Sequence, residues 1–356
     1  MKHTILITGA SGYVGAMLAA KFAARPDVER VVGLDKESAS ELLEGVPNYT
    51  HLQLNTADAW EQQAEQYKPD IVIHAAWQIR EIYGDRPLTW RWNIEGSDKV
   101  FEYAFNHEEV ARLIHFSTVA SYGAFASNTI EHRYTEEEPF RKTEYLYAEE
   151  KRIAEDHLKE RFEGAKHPVM VAIVRPAAIT GPRGRFMRIR FGLQAALSGS
   201  LKGQKSFIYD LVSAMTAWVP ITPKWLRQYI HEDDVVGIIE RLAFGPVVGE
   251  YEVFNICPPG PVVLGPDMAK AVGKRMLPIY PWMVRLPFFV FWHVTRGKIP
   301  TAPGSWKGYS YPIAVDGSKV ERVLGYHYQY DGLDAFQYTD GAYENFVPPQ
   351  LQKHKA

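Results

Sequence analysis

The turn at Gly9–Gly15 constrains the fold of this chain more than any other feature. An apolar, β-branched run, Thr4–Thr8, leads directly into Gly9, Gly12 and Gly15, and a helical pattern follows. A strand, a glycine-rich turn and a helix N-terminus form an anion site, because the bare backbone can approach a phosphate and the helix dipole favours its charge. These residues therefore predict a site for a pyrophosphate group.

Asp35 adds a second signal of the same kind. It ends the next apolar run, twenty residues after Gly15. An acid at this distance from the glycines can bind the ribose hydroxyls of a dinucleotide, and it repels the 2′-phosphate of NADP. The neighbouring Lys36 weakens that repulsion. The sequence thus predicts a dinucleotide site that favours NAD over NADP.

Short β-branched runs alternate with helical patterns through the first half of the chain. The later runs are Val31–Leu34, Ile71–His74, Leu113–Phe116 and Val169–Val174, and the helices are Gly15–Ala24, Trp90–Asn106 and Glu144–Phe162. This alternation is typical of an α/β fold of the Rossmann type, a doubly wound parallel sheet. Beyond Pro182 the pattern fades, which predicts a smaller C-terminal substrate-binding lobe. We expect an NAD-binding Rossmann domain at 1–180, to which 226–257 returns, and mainly the lobe at 181–356.

Composition excludes several classes of function. The 356 residues include 40 Lys and Arg and 42 Asp and Glu, a formal net charge of −2, so no polybasic surface for nucleic acid is expected. A single cysteine, Cys257, excludes a cysteine-rich zinc site and favours a reducing compartment, so we expect a cytoplasmic protein. The histidines lack the spacing of metal ligands, and no metal is expected.

The most apolar stretch is Pro281–Val294, and Ala217–Pro220 is similar in character. Arg285 and Pro287 interrupt the longer stretch well short of the ~20 residues that span a bilayer, so no integral membrane span is expected. We expect these residues to form the core of the C-terminal lobe or to line an apolar pocket. Contact with a membrane surface is the alternative.

Tyr147 and Lys151 are spaced for joint action. They stand four residues apart, on one face of the predicted helix Glu144–Phe162. An ammonium beside a phenol favours the phenolate and lowers the pKa of the phenol, which would make Tyr147 a general acid or base. Thr118 follows a strand at the carboxyl edge of the sheet, where such folds bind ligands. Its hydroxyl can hydrogen-bond the substrate oxygen that Tyr147 protonates or deprotonates.

Further motifs follow in a fixed order. They are Gly9-x-x-Gly12-x-x-Gly15, His74-Ala-Ala-Trp77, Asn93 with Gly96, Ser117-Thr118-Val-Ala-Ser-Tyr122-Gly123, Arg175-Pro176 with Gly181-Pro182, Arg227-Gln-Tyr-Ile-His231-Glu-Asp-Asp234 and Leu324-Gly325-Tyr326. In this set and order the chain resembles the extended short-chain dehydrogenases/reductases, the NAD-dependent epimerase/dehydratase family, over most of its length. The resemblance implies hydride transfer to or from NAD, without a metal, by the catalytic residues Thr118, Tyr147 and Lys151.

The resemblance also implies binding residues. For the cofactor these are Gly9, Gly12, Tyr13, Val14, Gly15, Asp35, Lys36, Asn55, Thr56, Ala75, Ala76, Trp77, Tyr147, Lys151 and Pro176. For the substrate they are Thr118, Tyr147, Ala178 and Arg227. Asn55 and Thr56 replace the family's usual acid and apolar pair at the adenine site, which is expected to alter cofactor affinity. By its position in the family, His231–Asp234 is expected to be a loop and helix start rather than a metal site.

Departures from the family pattern bear on the reaction. Val119 and Ala120 follow Thr118, where the dehydratases carry Asp and Glu, so dehydration is not expected. Arg227 stands where nucleotide-sugar epimerases place an arginine on the substrate diphosphate, but Ala178 replaces their usual asparagine. The leading hypothesis is an NAD-dependent oxidoreductase acting on a secondary alcohol or ketone. The alternatives are a nucleotide-sugar epimerase with tightly bound NAD and a non-catalytic NAD-sensing protein, against which the intact catalytic residues argue.

Two kinds of partner are expected. One is a small-molecule substrate, either a sugar nucleotide or a bulky alcohol or ketone. The other is a second copy of the chain, because helices at the positions of Trp90–Asn106 and Glu144–Phe162 form a four-helix dimer interface in the family. Both helices mix apolar residues with charged ones, and we expect a homodimer.

Overall fold

A parallel sheet of seven strands forms the centre of the computed structural model, which describes residues 2–184, 218–271 and 273–356. In chain order the strands of the structure are β1 (His3–Thr8), β2 (Val28–Asp35), β3 (Tyr49–Gln53), β4 (Ile71–His74), β5 (Arg112–Phe116), β6 (Met170–Pro176), β7 (Ala178–Thr180), β8 (Trp218–Ile221), β9 (Leu226–Arg227), β10 (Tyr229–His231), β11 (Tyr251–Ile256), β12 (Val263–Leu264) and β13 (Arg275–Pro278). The central sheet has the order β11-β6-β5-β4-β1-β2-β3, and all of its neighbouring strands are parallel.

Helices connect the strands and cover both faces of the sheet. They are α1 (Tyr13–Ala23), α2 (Glu61–Glu65), α3 (Arg86–Trp90), α4 (Gly96–Asn106), α5 (Leu146–Glu163), α6 (Glu232–Phe244), α7 (Gly265–Ala271), α8 (Pro281–Val294), α9 (Ser305–Ser310), α10 (Ser318–Leu324) and α11 (Gly332–Gln337). A π-helical turn, Arg91–Glu95, joins α3 to α4, and short 3₁₀ turns lie at Glu41–Leu43, Val119–Tyr122, Glu344–Phe346 and Pro349–Leu351.

The two faces of the sheet bury two separate hydrophobic cores, because side chains alternate along a strand. Ile5 and Ile7 of β1 pack in the core that includes residues of α1 and α6. Leu6, between them, packs in the opposite core with residues of α4 and α5. Central strands buried on both faces have continuous apolar sequences, which is why β1, β4 and β6 could be predicted. The prediction of a Rossmann-type doubly wound α/β fold is confirmed.

The predicted helix Trp90–Asn106 differs in detail. Helical structure already begins at Arg86, behind the N-cap Asp85, and the π-helical turn interrupts it before α4. Such a turn inserts one extra residue and re-aims the side chains around it, frequently at functional sites. Here it carries Trp92 and Asn93 toward the sheet's carboxyl edge, where both contribute to the site described below.

The C-terminal part of the chain builds a third, smaller core. Three pairs of short strands contribute to this part, β7 with β10, β8 with β13 and β9 with β12. Its buried residues include Val219, Ile221, Trp225, Tyr229 and Val263. Val219 belongs to the apolar stretch Ala217–Pro220 and is buried as expected, whereas Trp218 is exposed and Ala217 lies outside the described residues.

Pro281–Val294 departs from the expected role as a core segment. It forms α8, but only Val284 and Trp292 of this helix are buried. Most of its other large apolar side chains, such as Trp282 and Phe289, are exposed. The expectation that the segment fills the core of the lobe is therefore wrong for most of its residues. In the described part of the chain, no helix is both long and apolar enough to cross a bilayer.

Candidate active site

The glycine turn is fixed by close backbone packing. Gly9 has φ +75°, and a Cβ there would lie 2.6 Å from the backbone nitrogen of Ala76. A Cβ on Gly15 would overlap the carbonyl oxygen of Gly9. Gly12 is the N-cap of α1, and within the described chain no side chain caps this helix and no acid lies in its first turn. Within the described chain, no side-chain cap or acid therefore competes with an anion at the N-terminus of α1.

Asp35 ties the glycine turn to the end of β2. Its carboxylate accepts hydrogen bonds from the backbone N–H groups of Ser11 and Glu37, each at 3.0 Å. The next residue, Lys36, places its ammonium 3.9 Å from the centre of the Trp92 ring. One acid thus shapes the turn while lining the site, and the neighbouring cation lies against an indole supplied by the π-helical turn.

The three predicted catalytic residues meet at the carboxyl ends of β5 and β6. Thr118 is buried and accepts a hydrogen bond from the backbone N–H of Ala120 at 3.2 Å. The Thr118 hydroxyl also acts on the phenol of Tyr147, whose pKa it lowers. Lys151 lies one helical turn further along α5, so Tyr147 and Lys151 share a face as their spacing predicted.

The pKa of Tyr147 differs from the expectation. Burial raises it, and the hydrogen bond with Thr118 lowers it only in part. The prediction that Lys151 brings this pKa below its usual value is wrong for this structure. The cause is burial, which also depresses the pKa of Lys151 itself far below its usual value, against the opposing effect of Glu155 and Glu150.

Lys151 is enclosed on two sides. Its ammonium donates a hydrogen bond to the carbonyl oxygen of Phe116. It also lies 3.6 Å from the centre of the Trp77 ring. Since Trp77 follows β4 and Phe116 ends β5, the ammonium is held between neighbouring strand ends at the carboxyl edge of the sheet.

A buried carboxyl supports the cavity wall behind these residues. Glu150 accepts a hydrogen bond from the side-chain amide of Asn93 at 2.7 Å. Burial raises the pKa of Glu150 to about 7, a rise that the Asn93 hydrogen bond opposes and the nearby Glu81 supports. Asn93 also bonds both backbone groups of Gln78, at 2.7 and 3.1 Å. The π-helical turn therefore fixes the loop that follows β4.

One cavity of about 960 Å³ is lined by the glycine turn, Asp35, Lys36, Trp77, Thr118, Tyr147 and Lys151. Every residue expected to bind cofactor or substrate lies on its wall: Gly9, Gly12, Tyr13, Val14, Gly15, Asp35, Lys36, Asn55, Thr56, Ala75, Ala76, Trp77, Thr118, Tyr147, Lys151, Pro176, Ala178 and Arg227. The N-terminus of α1 without a side-chain cap, the carboxylate at the end of β2 and the length of this wall fit a dinucleotide.

Arg227, expected to bind the substrate, brings a cation to the cavity wall. Its guanidinium donates to the carbonyl oxygens of Leu226 and Gly308, each at 2.7 Å. Burial lowers its pKa, and no carboxylate of the described residues pairs with it. A half-buried guanidinium without a counter-ion is a place where an anionic group of a ligand can bind.

Sequence reasoning missed part of the cavity wall. The segment 300–313 lines the cavity through Pro300, Gly304, Ser305, Lys307, Tyr309, Tyr311 and their neighbours. Phe288 of α8 also lines it, which agrees with the expectation that Pro281–Val294 lines a pocket. Gly304 has φ +80°, and a Cβ there would lie 2.6 Å from the backbone nitrogen of Tyr145. The density of glycine and tyrosine in this segment was the available signal.

His231 occupies a structural position, as the motif His231–Asp234 predicted. His231 caps the N-terminus of α6 by accepting from the backbone N–H of Asp233 at 3.1 Å. Among the described residues one group has ligand atoms close enough for a metal, Asp340, Glu344 and His354 near the C-terminus. None of these three lines the cavity.

The fold and the cavity define a nucleotide-binding α/β enzyme with a tyrosine and a lysine one helical turn apart. Residues 5–257 match the model of the NAD dependent epimerase/dehydratase family. The chain belongs to this family. Its predicted family, its nature as an NAD-dependent dehydrogenase or epimerase and its cofactor, NAD, are confirmed.

Several solved structures with the same fold are distantly related to the chain in sequence. A dTDP-glucose 4,6-dehydratase of Bacillus anthracis in complex with NAD is 16% identical, with a TM-score of 0.67 over 95% of both chains. A UDP-glucose 4-epimerase of Thermotoga maritima is 20% identical, with a TM-score of 0.67 over 94% of this chain and 97% of that one. The enzyme WbmH of Bordetella bronchiseptica is 19% identical, with a TM-score of 0.68 over 97% and 99%. No curated protein sequence matches the chain.

Proposed function

We propose that the chain is an oxidoreductase that transfers a hydride between a secondary alcohol or ketone and NAD, with Tyr147 as the acid and base. The observation that carries this proposal is the meeting of Tyr147, Thr118 and Lys151 with the glycine turn in one cavity. A purely structural Y-x-x-x-K face would point to solvent. This one points into the site.

The residues proposed to hold NAD follow from their positions. The first turn of α1 and the Gly9–Gly15 backbone would bind the pyrophosphate, and Asp35 the adenosine ribose. Lys151 would bind the nicotinamide ribose. Asn55, Thr56, Ala75, Ala76 and Pro176 would line the adenine and nicotinamide ends as the family pattern implies. When bound, NAD supplies the hydride acceptor or, in its reduced form, the donor.

The chain's own residues handle the proton. In ketone reduction, Tyr147 gives its phenolic proton to the substrate oxygen as that oxygen gains charge, and the reverse transfer accompanies alcohol oxidation. Thr118 donates a hydrogen bond to the same oxygen and stabilises its charge. Because burial raises the pKa of Tyr147, the phenol is protonated at neutral pH and ready to act as an acid.

The test is a comparison of Tyr147→Phe with the unmodified chain on a panel of sugar nucleotides and bulky alcohols and ketones. The substitution keeps the ring and removes the proton, so turnover should fall by roughly two to four orders of magnitude. NAD affinity, measured by titration calorimetry, should remain. Thr118→Ala should act in the same direction and less severely. Undiminished turnover by Tyr147→Phe would refute the mechanism.

Arg227 supports a second candidate, a nucleotide-sugar epimerase, which oxidises its substrate and returns the hydride to the other face. An uncompensated guanidinium at the substrate end suits a diphosphate. Arg227→Ala should then raise KM for sugar nucleotides, while Arg227→Lys should recover part of the loss. If the substrate is an apolar alcohol, Arg227→Ala should leave its KM unchanged. NAD that stays with the purified protein and emerges only on denaturation would also favour the epimerase.

We also propose roles for the domains, a quaternary structure and a location. Residues 1–180 with 226–257 would bind NAD, and the remainder of 181–356 would bind the substrate.

A homodimer through α4 and α5 is supported by family resemblance. The structure offers limited apolar surface for it, because Val100, Phe101 and Leu158 are buried within the chain. Light scattering of the purified chain tests the dimer.

The single buried thiol of Cys257 supports a cytoplasmic location.

A further inference from the structure

Helix α8 exposes its apolar side chains and buries few of them. Its inward stripe consists of Val284, Phe288 and Trp292, spaced by single helical turns, of which Val284 and Trp292 are buried and Phe288 lines the cavity. We define its apolar face as the large exposed side chains Trp282, Leu286, Phe289, Val290, Phe291 and Val294. Trp282 is 69% exposed and Val294 is 76% exposed. A surface helix normally turns polar residues outward, and α8 does the reverse.

The apolar face continues into the strand that precedes it. Met276 and Leu277 of β13 are also exposed, as is Tyr280 at the N-cap of α8. Exposed apolar side chains scattered singly are normal, whereas a contiguous set marks an interaction site. The apolar face therefore has the character of an interaction site.

The charge around the apolar face indicates what the occupant is. Between Asp267 and Asp316 the sequence contains seven Lys and Arg and no acid, although the whole chain has a formal charge of −2. Arg275, Arg285, Arg296 and Lys298 are exposed. None of these four forms an ion pair within the described residues; the guanidiniums of Arg275 and Arg285 lie 5.7 Å from the Trp218 and Trp306 ring centres.

We propose that the apolar face of α8 docks on an anionic lipid surface. Trp, Phe and Leu on one side of a helix with Arg and Lys beside them are the pattern of a helix that lies in the membrane interface. Anionic lipids attract such cations. With 14 residues, α8 is too short to span a bilayer, so it would lie parallel to the membrane surface.

A second copy of the chain is a poorer occupant. A two-fold contact would place each face against itself. It would also bring the unpaired cations Arg275, Arg285, Arg296 and Lys298 of the two copies together without an acid to compensate them. An anionic surface compensates these charges and covers the apolar side chains at the same time.

Docking would place the cavity beside the lipid. Phe288 on the inner side of α8 lines the cavity. The Tyr83 hydroxyl lies 3.0 Å from Nδ1 of His293, a hydrogen bond that joins α8 to the loop after β4. That loop also carries Ile79, which lines the cavity and is 61% exposed. This arrangement favours as substrate an amphiphilic alcohol or ketone that enters from the lipid. That statement about the substrate rests on the proposed function. The proposal that α8 docks on a lipid surface does not rest on it.

The test is flotation of the full chain with two kinds of vesicle, phosphatidylcholine alone and phosphatidylcholine containing phosphatidylglycerol. The chain should float with the anionic vesicles and remain behind with the neutral ones. High salt should weaken the binding, because exposed charges are screened. Leu286→Ser with Phe289→Ser should weaken it by about tenfold or more, since burial of two large apolar side chains is lost. Arg296→Glu with Lys298→Glu should also release the chain.

Val247→Ser is the matched control, because Val247 is 62% exposed and lies before β11, away from the apolar face. It should float like the unmodified chain. NAD binding by every variant shows that the fold is intact, so a failure to dock is distinct from a failure of the proposed function. A chain that stays behind with anionic vesicles overturns the proposal, as does undiminished flotation of Leu286→Ser with Phe289→Ser. Equal flotation with neutral vesicles, or a dimer that this double variant dissociates, overturns it as well.

Discussion

The ammonium of Lys151 lies 3.6 Å from the centre of the Trp77 ring, so an indole face covers the group proposed to bind the nicotinamide ribose. The attraction between a cation and an indole is worth roughly 0.5–2 kcal/mol. We expect Trp77→Ala to weaken NAD binding by about three- to thirtyfold, because Lys151 loses the contact that holds it in position. Titration calorimetry measures the change.

Trp77→Phe is the control for this prediction. It keeps an aromatic face beside Lys151 and should lose only a few-fold in NAD affinity. Equal losses in the alanine and phenylalanine variants would show that the size of the indole, rather than its face, matters.

Two glycines of the turn should respond differently to alanine. A Cβ on Gly15 would overlap the Gly9 carbonyl oxygen, a contact that only a backbone shift relieves. Gly15→Ala should therefore lower the free energy of unfolding by about 3 kcal/mol or more. A Cβ on Gly12 would lie 3.1 Å from the same oxygen, and Gly12 has φ −70°, which alanine adopts. Gly12→Ala should fold with small loss but weaken NAD, because its Cβ stands where a pyrophosphate approaches.

Urea unfolding and NAD titration of both variants separate these effects. The expected pattern is a stability defect in Gly15→Ala and an affinity defect in Gly12→Ala. A Gly15→Ala variant as stable as the unmodified chain would contradict the packing described for the turn.

Asp35→Asn should relax the preference for NAD. The carboxylate lines the cavity at the end of β2 and repels a 2′-phosphate. The amide removes the charge and keeps an oxygen that can accept from Ser11 or Glu37, so the turn should survive. We expect the ratio of the NADP and NAD dissociation constants to fall by roughly tenfold. Glu37→Gln removes the same charge from an exposed neighbour and should leave the ratio nearly unchanged. Equal affinities for both nucleotides in the unmodified chain would remove the assigned role of Asp35.

Glu150 should make stability depend on pH. Its pKa is about 7 in the folded chain against 4.5 ordinarily, so the folded state keeps a proton that the unfolded state releases. Its contribution to stability is full below about pH 4.5 and is lost as the pH rises to about 7. Glu150→Gln should therefore gain stability over the unmodified chain from about pH 5 to about pH 8, by about 3 kcal/mol at most.

Glu149→Gln is the control, since the neighbouring carboxyl shifts in the opposite direction. Burial raises the pKa of Glu149, but hydrogen bonds from Arg152 and Thr143 lower it to a net value below the usual one. Glu149→Gln should therefore be less stable than the unmodified chain at about pH 8. Urea unfolding at about pH 5 and about pH 8 measures the stability of both variants. If their stability relative to the unmodified chain changes with pH in the same way, the buried state of Glu150 is contradicted.

The strands that sequence revealed and those it missed differ in one physical respect. β1, β4, β5 and β6 are central and consist largely of apolar residues. β3 and β11 are the two edges of the sheet, and their sequences, YTHLQ and YEVFNI, are only partly buried. An edge strand needs less apolar sequence because one side has no neighbour, so no clear periodic signal marks it. For this part of the chain, the sequence analysis expected only that 226–257 returns to the NAD-binding domain.

The site also has parts that the sequence predicts and parts that it does not. The glycine turn and the pair Tyr147 and Lys151 are local patterns, and they lie where the pattern placed them. The burial that raises the pKa of Tyr147, the indole beside Lys151 and the cavity wall at 300–313 arise between segments far apart in sequence. Such contacts depend on packing, and a single sequence does not encode them in any short window.

The return of β11 to the sheet has a consequence for how this enzyme can diversify. Tyr251–Ile256 pairs with residues 171–176 of β6, although β7, β8, β9, β10 and α6 come between the two strands in the chain. A gene cut after residue 180 would encode a sheet with β6 as a bare edge, open to pairing with other chains. Exchange of the substrate side between relatives therefore requires two crossovers, one on each side of an inserted stretch, and not a single fusion of front and back halves.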